Sequence, residues 1–214
     1  MDDLSTYEKI LSAACELFAD YGYHGTSLRA LTAKAKVNLA AANYHYNDKE
    51  TLYRAVITTR MTRLNEERLS QLQNAELSSD GKPIPLDRLW DMYFRPIFEL
   101  GVDRDRGGHH FIRVLGRSMV EPLPFVQAVL ANEIHPVTAR FAQAFRRHVP
   151  QLPPEEFMWR LSFLVGAMHH TLATLHQMKN LTNGICRNDD HEGALRRLIQ
   201  HATLTLTART GTAN

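Results

Sequence analysis

Between residues 38 and 49 the chain gathers side chains suited to a polar partner: Asn38, Asn43, Tyr44, His45 and Lys49 are interleaved with Leu39, Ala40 and Ala41. The carboxamide of Asn43 holds a donor beside an acceptor, which matches the paired edge atoms of adenine in a DNA major groove. Ala40 and Ala41 let a backbone approach base edges closely and can touch a thymine methyl. Tyr44, His45 and Lys49 suit phosphate oxygens, and Arg29 reaches either a guanine edge or a phosphate. Residues 21–47 contain no Asp or Glu but include Arg29, Lys34 and Lys36. Positive charge is therefore concentrated locally, although the whole chain carries a net charge of only +2.

Those residues need elements to hold them. Ser5 followed three positions later by Glu8 matches a capping box, and Ile10, Ala14, Leu17, Phe18 and Tyr21 recur at helical spacing behind it, predicting an amphipathic helix that stops at Gly22. Thr26 or Ser27 caps a second short helix to about residue 35, Asn38 caps a third to about residue 46, and Asp48 caps a fourth, much longer helix from residue 49 towards residue 73. A short helix, a tight turn at Lys36 and Val37 and a second short helix make a helix-turn-helix. Leu31, Ala35, Val37, Ala42 and Tyr46 form its shared core, leaving Leu39, Ala40, Asn43 and Tyr44 outward, where a major groove would meet them.

The pattern resembles the N-terminal part of the TetR family of regulators. The resemblance rests on Ile10-Leu11-Ser12-Ala13-Ala14, Leu17-Phe18, Gly22, Gly25-Thr26-Ser27 and the run from Asn43-Tyr44-His45-Tyr46 through Lys49-Glu50, and it covers roughly residues 5–55. It implies that Ser27, Asn43, Tyr44 and Lys49 stand where the family commonly holds the operator backbone, with Leu39 and Ala40 on the reading face. Two departures stand out. Lys36 occupies a turn position usually held by Gly, and Asn43 replaces the usual Tyr, with Tyr44 beside it. If the turn needs a positive φ, Lys36 costs about 1 kcal/mol. The run from Val37 to Tyr46 looks most like a subgroup that includes repressors released by long-chain fatty acids or their derivatives.

Further helical patterns follow at about residues 86–98, 109–120, 124–148, 154–179 and 190–209, with polar breaks at 78–83 and 103–108, and no sustained period of two suggests a sheet. The expected fold is all-α: a DNA-binding segment of three helices over residues 1–50, attached to the first part of the long fourth helix, then a helical ligand-binding and dimerisation domain over residues 51–214. Met92, Phe98, Phe111, Val114, Phe125, Trp159, Phe163, Met168 and His169 are the candidates to line an elongated apolar cavity, or simply to fill the core. Arg113, Arg117, His109, His110, His169 and His170 interrupt apolar helices and could meet an acidic ligand head. The last two helices resemble in position the pair that forms a four-helix dimer interface in this family. A homodimer also follows from function, because one short reading helix contacts too few bases for useful specificity.

Catalysis is not expected. Gly116-Arg117-Ser118-Met119-Val120 lacks the second glycine of a nucleophile elbow, and no phosphate-cradling loop is present. His169 and His176 share a helix face, but no carboxylate joins them at metal-ligand spacing, so neither metal nor cofactor is expected. Cys15 and Cys186 show no paired spacing, and the best apolar stretch is too short to span a bilayer, so the expectation is a cytoplasmic protein without membrane attachment. The expected partners are double-stranded operator DNA, a small hydrophobic effector and a second copy of the chain. The expected activity is ligand-responsive repression; a helical acyl-binding module with little specific DNA binding is the alternative.

Overall fold

The computed structural model describes residues 5–38, 44, 46–121 and 123–209, and among them regular structure is helical throughout. Helix α1 (Thr6–Gly25) begins where the capping box sits: Glu8 N donates to Ser5 Oγ at 3.2 Å and Ser5 N to Glu8 Oε2 at 2.9 Å. Helix α2 is Leu28–Ala35, and α3 (Lys49–Leu77) starts behind Asp48, whose carboxylate accepts from Thr51 N at 2.7 Å. That bond holds the Asp48 carboxyl below its usual range. There follow α4 (Leu86–Val102), α5 (Gly108–Val120), α6 (Pro124–Arg146), α7 (Pro154–Thr174), a 3-10 turn (Leu175–Gln177) with the short α8 (Met178–Leu181), and α9 (His191–Thr207). No helix among the described residues is long and apolar enough to cross a membrane.

The chain forms two compact units, Met1–Arg63 with Asp103–Ile134, and Leu64–Val102 with His135–Asn214. Helices α3 and α6 contribute residues to both.

In the first unit α1 packs on α2 and α5. Sequence spacing predicts that α1 ends at Gly22. Instead Gly22 is a break at φ 70° and ψ 179°, and helix resumes to Gly25. The left-handed φ suits glycine, and a Cβ there would meet Glu121 Oε1 at 3.1 Å and Arg117 Nη1 at 3.3 Å. A break of this kind frees backbone carbonyls, which must find donors when enclosed. Thr26 Oγ1 donates to Gly22 O and Leu17 O at 2.9 and 3.2 Å; Arg117 of α5 donates to Ala19 O and Asp20 O at 3.1 and 3.2 Å. Arg113 adds an ion pair to Asp20 at 2.7 Å. Beside the break Phe18, Tyr23, Tyr53 and Phe125 form an aromatic cluster, with Phe18 and Tyr53 edge to face at 4.7 Å and Tyr53 OH bonded to Ser118 Oγ at 3.0 Å. Cys15 is buried among these helices, and the desolvation pushes its thiol up to about 11, so it is a packing group rather than a nucleophile.

In the second unit α9 packs on α4 and α7 around a core in which Trp90 stacks on Phe145 at 4.0 Å and on Phe94 at 5.0 Å. Arg95 of α4 grips Glu192, in the first turn of α9, through two bonds of 2.9 Å. At the other end of α9 the buried Arg160 of α7 donates to Thr205 O, Leu206 O and Ala208 O at 3.0, 3.0 and 2.6 Å, while its Nε pairs with Glu156 at 2.8 Å. A guanidinium there satisfies orphan carbonyls and opposes the negative end of the helix dipole. Replacing Arg160 by Ala should therefore lower unfolding stability by about 2–3 kcal/mol in urea titration, the range for a charged hydrogen-bonded group whose partners are left unpaired; a loss below about 0.5 kcal/mol would contradict this anchoring role.

Candidate functional site

The first helix of the helix-turn-helix is set by its two ends. Ser27 caps α2, its Oγ accepting from Ala30 N at 3.1 Å, and the hydroxyl hydrogen remains available for another acceptor. At the C-terminal end Lys36 adopts the left-handed conformation, φ 56° and ψ 41°, its N–H returning to Ala33 O at 3.3 Å while Val37 N bonds Thr32 O at 3.1 Å. The turn thus has the geometry that favours glycine, with a lysine in it. Leu31 and Ala35 face inward as their spacing predicts, and Tyr46 is buried, stacked on Tyr7 of α1 at 5.5 Å.

Outward, Ser27, Arg29, Asn38 and Tyr44 are exposed, Tyr44 to 84%. The guanidinium of Arg29 has no ion-pair partner among the described residues. Leu39, Ala40, Asn43 and His45, the remaining candidates for base and phosphate contact, lie outside the described residues. Lys49 is placed differently from the expectation of a phosphate contact. Its ammonium donates to Tyr23 O and Thr26 O at 2.9 and 3.0 Å and sits 4.3 Å from the centre of the Tyr23 ring. It closes the end of α1 and fixes the start of α3 beneath the turn.

The nine candidates for cavity lining divide between the units. Phe111, Val114 and Phe125 belong to the first, where Phe111 and Val114 are fully buried and Phe125 packs on Tyr23 and Tyr53. Met92, Phe98, Trp159, Phe163, Met168 and His169 belong to the second. Met92, Phe98 and Met168 are buried, but Trp159 and Phe163 are 54% and 64% exposed and stack on each other at 5.6 Å. Sequence spacing put them on an apolar stripe, and nine residues at 100° each place Trp159 opposite Met168 on α7. Arg113 and Arg117, expected as partners for an acidic ligand head, are engaged with α1. His109 and His110 lie against each other in the first turn of α5, their ring centres 3.9 Å apart and their planes tilted by 39°. His169 is half-buried: desolvation, with the Arg68 charge nearby, brings its ring down to about 4.

The second unit also has a small recess of about 10 Å³, room for about one water, between α4, α6 and α7, walled by Trp90, Tyr93, Phe141, Phe145, Leu161 and Val165. None of the six candidates in this unit lines it. Sequence reasoning missed Arg68 as well. It is 4% exposed, its Nε donates to Tyr93 O at 2.7 Å and its guanidinium lies 4.5 Å from the centre of the Tyr93 ring. The signal was present: Arg68 interrupts the buried stripe Met61, Leu64, Leu72 and Ala75 on α3 at helical spacing.

The family model for bacterial regulatory proteins of the tetR family matches residues 10–56, and that for the tetracyclin repressor-like C-terminal domain matches residues 91–203, more than half of the chain. The chain belongs to the tetR family of bacterial regulatory proteins. Its members are transcriptional regulators, not enzymes. The negative transcriptional regulator of the biofilm operon, IcaR of Staphylococcus epidermidis, is 38% identical over 47 residues, which are 22% of this chain and 25% of that protein, so the match spans a quarter of the relative's length. Among solved structures, the fatty acid degradation regulator FadR from Bacillus halodurans is similar over all of both chains, with a TM-score of 0.66 at 16% identity. A TetR-like transcriptional regulator from Rhodococcus sp. RHA1 is similar over 95% of this chain and 98% of that one, with a TM-score of 0.61 at 20% identity. These tetR-family structures share the fold with this chain.

Two outcomes follow. Lys36→Gly should stabilise the protein by about 1 kcal/mol in urea unfolding, because glycine meets no steric penalty at this φ; destabilisation would contradict the left-handed turn. His169 binds a proton less readily folded, at about 4, than unfolded, at about 6.5. Its contribution to stability is therefore complete above pH 6.5 and is lost as pH falls towards 4. Relative to His169→Gln, the parent should lose up to roughly 3 kcal/mol over that window, and parallel pH profiles would contradict a desolvated neutral imidazole.

Proposed function

We propose that this chain is a homodimeric repressor that binds a palindromic operator through the helix-turn-helix of residues 1–50 and is released when a small apolar or acyl-type effector binds the domain of residues 51–214. The observation that carries the dimer is the outer surface of the last two long helices. Met158, Trp159 and Phe163 on α7 and Leu204 on α9 are each more than half exposed, an unusual concentration of large apolar side chains for a lone surface. Aromatic anchors of this kind typically carry the binding energy of an interface. Buried Arg160 fixes α7 to α9, which makes the pair a rigid platform for such a contact.

Two copies related by a two-fold axis place two reading helices in successive major grooves and double the number of bases read. The exposed Ser27, Arg29, Asn38 and Tyr44 supply polar and cationic groups around that surface. The effector acts by linkage: it favours one arrangement of the second unit's helices, α3, which has residues in both units, carries the change, and the half-site spacing no longer fits. The names of two relatives support the sign and the effector class, since IcaR is a negative regulator and FadR regulates fatty acid degradation.

Fluorescence anisotropy on a duplex from the chain's own promoter region tests this reading. It should show at least about a thousandfold preference over a scrambled duplex, falling steeply with salt, and Trp159→Glu should yield monomers that lose the preference while retaining their helical spectrum. Equal, weak binding to both duplexes would contradict the repressor and favour the acyl-binding module; a dimeric Trp159→Glu protein would remove α7 from the interface.

A further inference from the structure

The turn that ends α2 is closed by backbone alone. Lys36 N returns to Ala33 O and Val37 N bonds Thr32 O, at 3.3 and 3.1 Å, so the turn asks for no side chain at residue 36. A lysine nevertheless stands there at φ 56°, a conformation that glycine enters without penalty and an ordinary side chain does not. The other non-glycine residues in this region among the described residues are Asp80 and Asn183, types that tolerate it, so Lys36 is the outlier. The C-terminal end of a helix favours a cation, but Lys34 in the last turn already supplies one. Backbone strain of this kind persists chiefly where a function holds it in place.

The charge at residue 36 is also unanswered. Lys34 pairs with Glu16, Lys49 bonds the carbonyls of Tyr23 and Thr26, Arg54 pairs with Glu50 and Arg113 with Asp20. Lys36 is exposed, and among the described residues its ammonium has neither an ion pair nor a side-chain hydrogen bond. Residues 21–47 contain no acid that could take it. It stands two residues before the exposed Asn38, on the approach to the segment that carries the candidate base contacts.

We propose that Lys36 is a DNA-backbone contact: from the turn at the end of α2 its ammonium pairs with an operator phosphate, one in each half-site, and the strained turn is kept for that contact. The inference rests on the operator-binding reading above and adds to it a residue that the turn itself does not need. The chemistry selects a phosphate over a base edge. An ammonium on a flexible four-carbon stem is a point charge that reaches an anion without fixed geometry, whereas base reading needs paired groups held rigidly. The contact therefore strengthens binding to any duplex and carries no sequence information.

The test is the salt dependence of binding, by fluorescence anisotropy of the full-length protein on the promoter duplex and on its scrambled counterpart. Each phosphate contact adds about 0.9 to the steepness of log K against log salt, so Lys36→Gln should flatten the slope by about 2 for a dimer holding two phosphates. At about 0.1 M salt its binding should weaken by at least about tenfold, on both duplexes alike. Lys36→Arg keeps the charge and should stay within about threefold of the parent. Lys36→Gly should lose binding as Lys36→Gln does while unfolding at higher urea than the parent, an opposition of stability and affinity that a purely structural lysine would not give. Lys82→Gln removes the same charge from an exposed position in the second unit and should leave the slope unchanged. An unaltered slope in Lys36→Gln and Lys36→Gly, a loss confined to the promoter duplex, or an equal loss from Lys82→Gln overturns the proposal. The two readings fail separately. A parent that prefers its promoter, with Lys36 variants that bind as it does, defeats the phosphate contact alone. A parent that binds both duplexes equally, with the slope still flattened in the Lys36 variants, defeats the specific repressor alone, and no salt-dependent binding to either duplex defeats both.

Discussion

A helix that breaks or ends inside a protein frees carbonyl groups, and those groups must be given donors. The break at Gly22 is where this constraint shapes the first unit. Five carbonyls around it, from residues 17, 19, 20, 22 and 23, take hydrogen bonds from Thr26, Arg117 and Lys49. Each donor fixes something else as a consequence. Arg117 ties α1 to α5, Lys49 ties the end of α1 to the start of α3, and Thr26 aligns the chain so that Ser27 can cap α2. The helix-turn-helix inherits its orientation from that junction, which is why a cation expected to meet DNA is found bonded to the protein's own carbonyls.

The second unit repeats the same solution. Arg160 meets the carbonyl end of α9, and Arg68 donates to the Tyr93 carbonyl of α4. The two differ in what remains. Arg160 has Glu156 beside it and several carbonyls in front of it, so its charge is answered within the protein. Arg68 has a ring, one carbonyl and an unpartnered Nη2.

The helical architecture and the capping signals were legible because they depend on neighbours in sequence: the Ser5–Glu8 box, the Ser27 cap, the Asp48 cap and the left-handed turn at Lys36 are local. The inward positions Leu31, Ala35 and Tyr46 were legible from spacing. What a long side chain does was not, because its reach exceeds the local pattern. Lys49, Arg113 and Arg117 have partners far away in sequence, and each satisfies a group that only the fold brings near. Periodicity also identifies an apolar stripe without saying what covers it, so Trp159 and Phe163 read as lining when they are exposed. Arg68 is the converse case: its place in an apolar stripe was visible, but its bond to the Tyr93 carbonyl was not, because Tyr93 lies on another helix.

Hydroxyl-radical footprinting of the promoter duplex tests the central claim most directly, since a dimer presenting two equivalent reading helices must leave its symmetry on the DNA. Two protected patches should appear, related by a dyad and centred about one helical turn or a small multiple apart, with mirrored offsets on the two strands. A single asymmetric patch, or uniform protection along the duplex, would contradict a two-fold operator-binding regulator.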